Sequence, residues 1–288
     1  MIITPHHKLW SVDIKEIWRY RDLITLFVKR NIIVQYKQTI LGPLWYIIQP
    51  LLTIIMNMVV FGGIAKMSTD GIPQPLFYMA GNVCWFYFSD CLNQTSSTFT
   101  ANQAMFGKVY FPRLVVPIST VISNLLRFGI QLALFVAMYL YFFAFGTPIH
   151  LGVILPSAPI IVNIFVSFFI FVLLVIMLAG LGLGFGILIS SMTTKYRDLT
   201  ILFTFIVQLW MYATPIVYPM SMVTNEKLRT IIMLNPLSSV IETFKYVTLG
   251  QGYFSWLTLG YSFVFMCSLL IIGVVVFNKV QRSFMDTV

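Results

Sequence analysis

Six runs of twenty or more mostly apolar residues set the fold class before any single residue is considered. They lie at about 43–65, 75–97, 117–145, 159–190, 199–218 and 256–278. A helix of about 20 such residues crosses the roughly 30 Å hydrocarbon core of a bilayer. The third and fourth runs exceed that length, so tilt or extension beyond the bilayer is expected. Only 9% of the 288 residues are charged, while 59% are hydrophobic and 16% aromatic. A soluble domain carries roughly 25% charged residues, so a soluble globular fold is excluded. The expected fold is an all-α membrane protein with six transmembrane helices. An N-terminal amphipathic interfacial helix precedes them, and a re-entrant outer helix pair lies between spans five and six.

The net charge of +9 suits anionic lipid headgroups better than nucleic acid, because the basic residues flank apolar spans. Thirteen of the 18 Lys and Arg fall in the termini and the loops after spans two and four. Four fall in the other loops, and Arg127 lies inside span three. By the positive-inside rule both termini are cytoplasmic. The first apolar run begins only near Gly42, behind a polar leader with no small-residue cleavage site, so no cleavable signal is expected. Cys84, Cys91 and Cys267 all sit in apolar runs and offer neither a disulfide framework nor metal-ligand spacing.

The chain divides into a leader, 1–42, and a six-span membrane domain, 43–288. On a helical wheel Lys15, Arg19, Asp22, Thr25, Lys29 and Arg30 share one arc of the leader. Ile14, Ile17, Tyr20, Leu23, Ile24, Phe27 and Val28 share the other, while Trp18, Arg21 and Leu26 break the pattern. A basic face opposite an aliphatic one fits a helix lying in the membrane interface. The alternative is a solvated charge run before a membrane anchor.

Catalytic and nucleotide-binding signatures are missing. The sequence contains no G-x-x-x-x-G-K-[ST]. His6, His7 and His150 form no H-E-x-x-H, and no Ser sits in G-x-S-x-G. The run from Gly180 to Gly186 superficially resembles a dinucleotide loop but lies within an apolar span. There, Gly182 and Gly186 form a G-x-x-x-G pair suited to close helix packing.

Span two ends in an inner half rich in polar residues: Ser89, Asp90, Asn93, Gln94, Ser96 and Ser97. Such a surface is expensive to show to lipid and should face a bundle interior or a conduit. Asp90 and Arg127 fall at similar depth on adjacent antiparallel spans, so an ion pair is expected, as structural glue or in transport. The connection from about 101 to 117 is amphipathic and aromatic, and a short helix there could dock into a partner's groove or form a simple interfacial turn. The segment 214–255 is too apolar for a free loop and reads as two short helices broken at Asn235-Pro236. Asn at an N-cap followed by Pro is a start signal, with Ser239/Glu242 as an alternative capping box. Short helices at membrane depth are tolerated where protein covers them, so this pair reads as a gate-like outer element. Tyr46, Trp85, Phe86, Phe88, Trp210, Tyr212 and Tyr218 are either belt and packing residues or surfaces on which sugar rings could stack.

These features resemble a known family. Residues Gln35 to Trp45 leading into Gln49-Pro50-Leu51, then Gly107 to Arg113, then Tyr196 to Leu199, then Thr214-Pro215-Ile216 with Asn235-Pro236-Leu237 follow one order. The set is similar to the membrane subunit of type-2 ABC exporters of bacterial polysaccharides. The resemblance implies a homodimeric permease in the bacterial inner membrane with a separate P-loop ATPase dimer that binds ATP and Mg. The implied substrate is a lipid-linked O-antigen polysaccharide. Capsule and teichoic acid exporters share these features, and a small hydrophobic molecule is an alternative cargo. The chain itself would hold no cofactor or metal and perform no catalysis. Coupling to the ATPase is expected at Phe106, Gly107, Lys108, Tyr110, Phe111, Arg113, Tyr196, Arg197 and Asp198. The aromatic residues named above, with Asp90 and Asn93, are candidates for the translocation path. Asn235, Pro236 and Glu242 are candidates for the outer gate. A membrane-embedded lipid–sugar transferase is the rival from another class, but it would need carboxylate or His clusters where the outer loop has only Glu226 and Glu242. A purely structural anchor would not need the polar half of span two.

Overall fold

The computed structural model describes residues 14–37, 39–106, 108–109, 111–146, 152–155, 159–194, 196 and 198–285. Among them all regular structure is helical. The leader forms α1 (Ile14–Arg19) and α2 (Arg21–Tyr36), separated at Tyr20, whose N–H is shared between the Glu16 and Ile17 carbonyls. A 3₁₀ turn at Gly42–Leu44 follows, with Gly42 at φ +48°. It leads into α3 (Trp45–Asn57), which continues as a π-helix through Ile64. Next come α4 (Gln74–Ser96), the short α5 (Thr98–Ala101) and α6 (Gln103–Phe106), and the long α7 (Val115–Ala144) and α8 (Ile160–Thr193). The chain closes with α9 (Leu199–Tyr212), α10 (Glu226–Leu234), α11 (Pro236–Leu249) and α12 (Trp256–Met285).

The helices start and stop within a few residues of the apolar runs, yet not all are alike. Among the described residues, four segments are long and apolar enough to cross a membrane: Gly42–Ile64, Val115–Ala144, Ile160–Thr193 and Trp256–Gln281. The 23-residue α4 has the length but is more polar, and 16 of its residues are buried. It forms the axis of the bundle, packed along α8 and α7 and touched by α3, α9 and α11. The 14-residue α9 rises only about 21 Å at 1.5 Å per residue. It ends at Tyr212, short of the expected 218, because the chain turns at Ala213 and runs through Pro215.

Why α4 can be enclosed follows from the glycines of α8. A Cβ added at Gly182 would lie 2.6 Å from Cys91 Cβ, and one at Gly186 would lie 2.5 Å from Thr95 Cβ. Backbone therefore meets helix directly, as small residues permit in membrane bundles. Gly184, on the opposite face of α8, meets Leu269 of α12 in the same way. The glycine run is a two-sided packing stripe rather than a ligand loop.

Substitution should separate these positions. Gly182→Ala is expected to destabilise the protein by about 1–3 kcal/mol through overpacking. Gly129→Ala, where an added Cβ meets nothing within 4 Å, should be neutral or stabilising by up to about 1 kcal/mol. Thermal unfolding of the two variants in detergent measures the difference, and equal midpoints would refute the packing role.

Candidate functional site

At the leader end of the bundle, distant parts of the chain converge on aromatic rings. Phe99 stacks on Phe277 of α12 at 4.5 Å and meets Phe106 edge-on at 6.0 Å. Phe111 lies 5.8 Å from both Phe106 and Phe27 of the leader. Val115, Val116 and Ile187 complete this buried cluster, with Tyr20, Leu23 and Ile24 against its edge. The aliphatic arc of the leader thus covers protein, and the helix is docked as well as amphipathic. Backbone bonds fix the same junction: the Phe99 N–H donates to Ser190 Oγ at 3.3 Å, and Thr193 Oγ1 donates to the Ser96 carbonyl.

This packing turns part of the expected coupling set inward. Phe106, Phe111 and Arg113 are all buried within the protein. Arg113 donates to the Gln281 carbonyl at 3.4 Å and lies over the Phe106 ring at 5.1 Å. Burial lowers its pKa from the ordinary value, a desolvation that the carbonyl and the ring offset. The physical reason for the inward turn is area, since the rings bury more apolar surface against α2, α8 and α12 than a loop in water could. What remains outward is Lys108, Val109, Tyr196 and Asp198. Gly107, Tyr110 and Arg197 lie outside the described residues.

Deeper in the bundle, Arg127 Nη1 lies 2.8 Å from Asp90 Oδ2, the expected pair. Arg127 Nη2 also donates to Gln49 Oε1 at 2.8 Å, and the guanidinium sits 5.0 Å from the Tyr46 ring centre. The Tyr46 hydroxyl in turn donates to Gln35 Oε1 of the leader. Sequence reasoning missed Gln35 and Gln49. Their one signal is a polar amide on each side of the Gly42-Pro43 turn. Three hydroxyls of lower α4 are satisfied locally: Ser89, Ser96 and Ser97 each donate to the carbonyl three residues back, while the buried Thr95 hydroxyl has no partner among the described residues. These local bonds lower the cost of so polar a helix end, and Asn93 is half-buried beside it.

The aromatic path candidates divide. Phe88 is fully enclosed, meeting Trp210 edge-on at 5.5 Å, Phe185 at 6.4 Å and Trp85 at 5.6 Å. Trp85 is buried as well. Both belong to the packed core of the chain. Tyr46, Phe86, Trp210 and Tyr218 are half-buried, and Tyr212 is exposed, 6.5 Å from Phe61.

The segment after α9 folds as expected at Asn235-Pro236. Asn235 caps α11, accepting from the Leu237 N–H at 3.1 Å, with Pro236 at the first helical position. Its amide donates to Thr214 Oγ1 at 2.9 Å, and Thr214 donates to the Trp210 carbonyl. Glu242 is not a capping residue. It lies mid-helix, 3.4 Å from Lys245, and both are 1% exposed. Lys245 Nζ donates to the Pro215 carbonyl at 2.6 Å and sits 4.1 Å from the Phe77 ring. The Tyr253 N–H donates to Glu242 Oε2 at 3.1 Å. One buried pair therefore clamps α11 to the end of α9, to α4 and to the approach of α12. The i,i+3 spacing of Glu242 and Lys245 was its only mark in the sequence.

The arrangement has no catalytic constellation among the described residues; it is a helical bundle with a docked leader, an internal ion pair and a clamped helix pair. The sequence matches the membrane family described as ABC-2 type transporter over residues 22–249, and the chain belongs to that family. It is 28% identical to an O-antigen export system permease protein RfbA of Klebsiella pneumoniae, over 92% of this chain and 94% of that protein. Similarity to the RfbA permease of Myxococcus xanthus is 26% over 81% of this chain and 82% of that one. The polysialic acid transport protein KpsM of Escherichia coli is 25% identical over 90% and 93% respectively.

Removing one member of the clamp should show its worth. Lys245→Met leaves Glu242 buried without its counter-charge and should cost about 3–5 kcal/mol. The double variant Glu242→Gln/Lys245→Met should recover much of that loss. Unfolding midpoints in detergent report both, and a single variant as stable as the parent would contradict a closed, buried pair.

Proposed function

We propose that two copies of this chain form the permease of an ATP-driven exporter that moves a lipid-linked O-antigen polysaccharide across the bacterial inner membrane. A separate P-loop ATPase dimer binds ATP and Mg and supplies the energy. The observation that carries this reading is the aromatic cluster binding the leader, the α5–α6 segment and the end of α12 into one body. A transport bundle without its own nucleotide motif needs such a surface to receive force. The family and the functions of the relatives support the same conclusion. The KpsM relative, a polysialic acid transport protein, favours export of a different polysaccharide as the second reading.

In this scheme α3, α4, α7, α8, α9 and α12 are six spans, with both termini cytoplasmic and α10–α11 re-entrant from the outer side. The leader-end cluster then lies in the cytoplasm. Lys108, Val109, Tyr196 and Asp198 form the surface that meets the ATPase, with the buried Phe106, Phe111 and Arg113 holding it in place. The path runs between the two copies rather than through one, since Trp85 and Phe88 are enclosed within a protomer. Exposed apolar residues of α3, its π-helical continuation and α9, among them Ile55, Val59, Phe205 and Tyr212, supply the facing surfaces. Asn235, Pro236 and Glu242 hold the outer gate helices through their contacts with Thr214 and Lys245.

The test has two parts. The chain purified in mild detergent should retain a P-loop ATPase, and a deletion strain should trap lipid-linked polymer inside the cell. A chain that retains no ATPase, or a deletion strain with normal surface polymer, would overturn the proposal. Normal polymer with a retained ATPase would point to a small hydrophobic cargo.

A further inference from the structure

The contacts of Arg127 tie four helices into one polar chain. From the leader, Gln35 of α2 accepts from the Tyr46 hydroxyl of α3. The Tyr46 ring lies under the Arg127 guanidinium of α7, and Gln49, one turn along α3, accepts from Nη2. Nη1 closes the chain on Asp90 of α4. Arg127 Nε is buried with no partner among the described residues, and the directed bonds seen there for this guanidinium run to α3 and α4.

The part of α3 that Arg127 grips is bounded by two weak points. On one side is the 3₁₀ turn at Gly42, where φ is +48° and a side chain would strain the backbone. On the other is Pro50, inside the helix, which has no N–H to give the Tyr46 carbonyl and disrupts the ladder there. Residues 45–49 are therefore a short turn that can tilt relative to the leader and to the rest of α3. Ionic glue alone would need only Asp90 and Arg127. Instead the planar fork of arginine divides its donors between the tilting turn and the central helix, a spread that a lysine's compact ammonium does not reproduce.

We propose that Arg127 is a positioning residue that gears the first turn of α3, and through Tyr46 the leader helix, to α4. Displacement of the leader shifts Tyr46 and Gln49 together, since they lie one turn apart on the same face. The guanidinium follows them and carries Asp90, and with it α4, while the ion pair stays closed throughout. Arg127 is 15% and Asp90 21% exposed, which leaves room for that movement. This gearing rests on the reading that a partner ATPase drives the leader.

The experiment uses the full complex of this chain with its ATPase in lipid nanodiscs, and a deletion strain carrying each variant. Arg127→Lys keeps the charge facing Asp90 but loses the fork; Gln49→Met removes the second acceptor without touching the ion pair. Amide hydrogen exchange is followed in α2 and α4 with and without a non-hydrolysable ATP analogue. In the parent, nucleotide should alter exchange in both helices. In the variants the change in α2 should persist and that in α4 should be lost. ATP hydrolysis should be retained, while surface display of the cell's own lipid-linked polysaccharide falls about tenfold, the scale of an ordinary inter-site coupling. If both variants show the α4 response and normal display, the gearing is wrong. Loss of hydrolysis together with display, as expected of a general packing defect, also overturns it. Should Arg127→Lys not fold, Gln49→Met alone decides. A parent chain that binds no ATPase would instead sink the transport reading on which the gearing rests.

Discussion

Everything in the bundle depends on α8 lying against α4 at backbone distance. In lipid, apolar side chains gain little by leaving one hydrocarbon surrounding for another, so helices associate through close packing and polar contacts. Gly182 and Gly186 provide the first by bringing α8 onto Cys91 and Thr95. That contact encloses α4, and enclosure is what permits α4 to carry asparagine, aspartate and a row of serines. A helix of that composition facing lipid would have to leave its polar groups uncompensated.

The charged groups inside obey the same logic at both ends of the bundle. Asp90 meets Arg127, and Glu242 meets Lys245. In each pair the cation also engages an aromatic ring and an oxygen from another helix or turn. Removing a buried charge partner is far more harmful than never having had the pair. Both pairs therefore fix the relative placement of the elements they join. One joins α3, α4 and α7; the other joins α11 to α4 and to the turn beyond α9.

The helices and their order were legible because apolar runs and helix breakers are local. Asn235-Pro236 announced its own helix start, and Asp90 and Arg127 could be matched by depth along two antiparallel spans. The glycine run declared close packing, though not that it serves α4 on one face and α12 on the other. Three features were hidden for physical reasons. An amphipathic, aromatic segment does not say whose surface covers it, so Phe106 and Phe111 read as a docking face when the protein's own helices enclose them. Gln35 and Gln49 matter only through cross-helix hydrogen bonds, which leave no periodic trace. Lys245 looks like an ordinary loop cation until the fold removes it from water. The shortness of α9 was also obscured, since the apolar run continues through Pro215 after the helix has ended.

The turn between Gly42 and Pro50 has a mechanical consequence. Five residues of α-helix are only about 7 Å long. A tilt of about 10° displaces the far end of such a lever by roughly 1 Å, more than the half-ångström width of a normal hydrogen-bond distance range. Gln49 and Arg127, at 2.8 Å, therefore keep their bond through a larger tilt only if a side chain re-aims or α7 follows. The joint carries motion over the range in which re-aiming costs more than moving the neighbour, and slips beyond it.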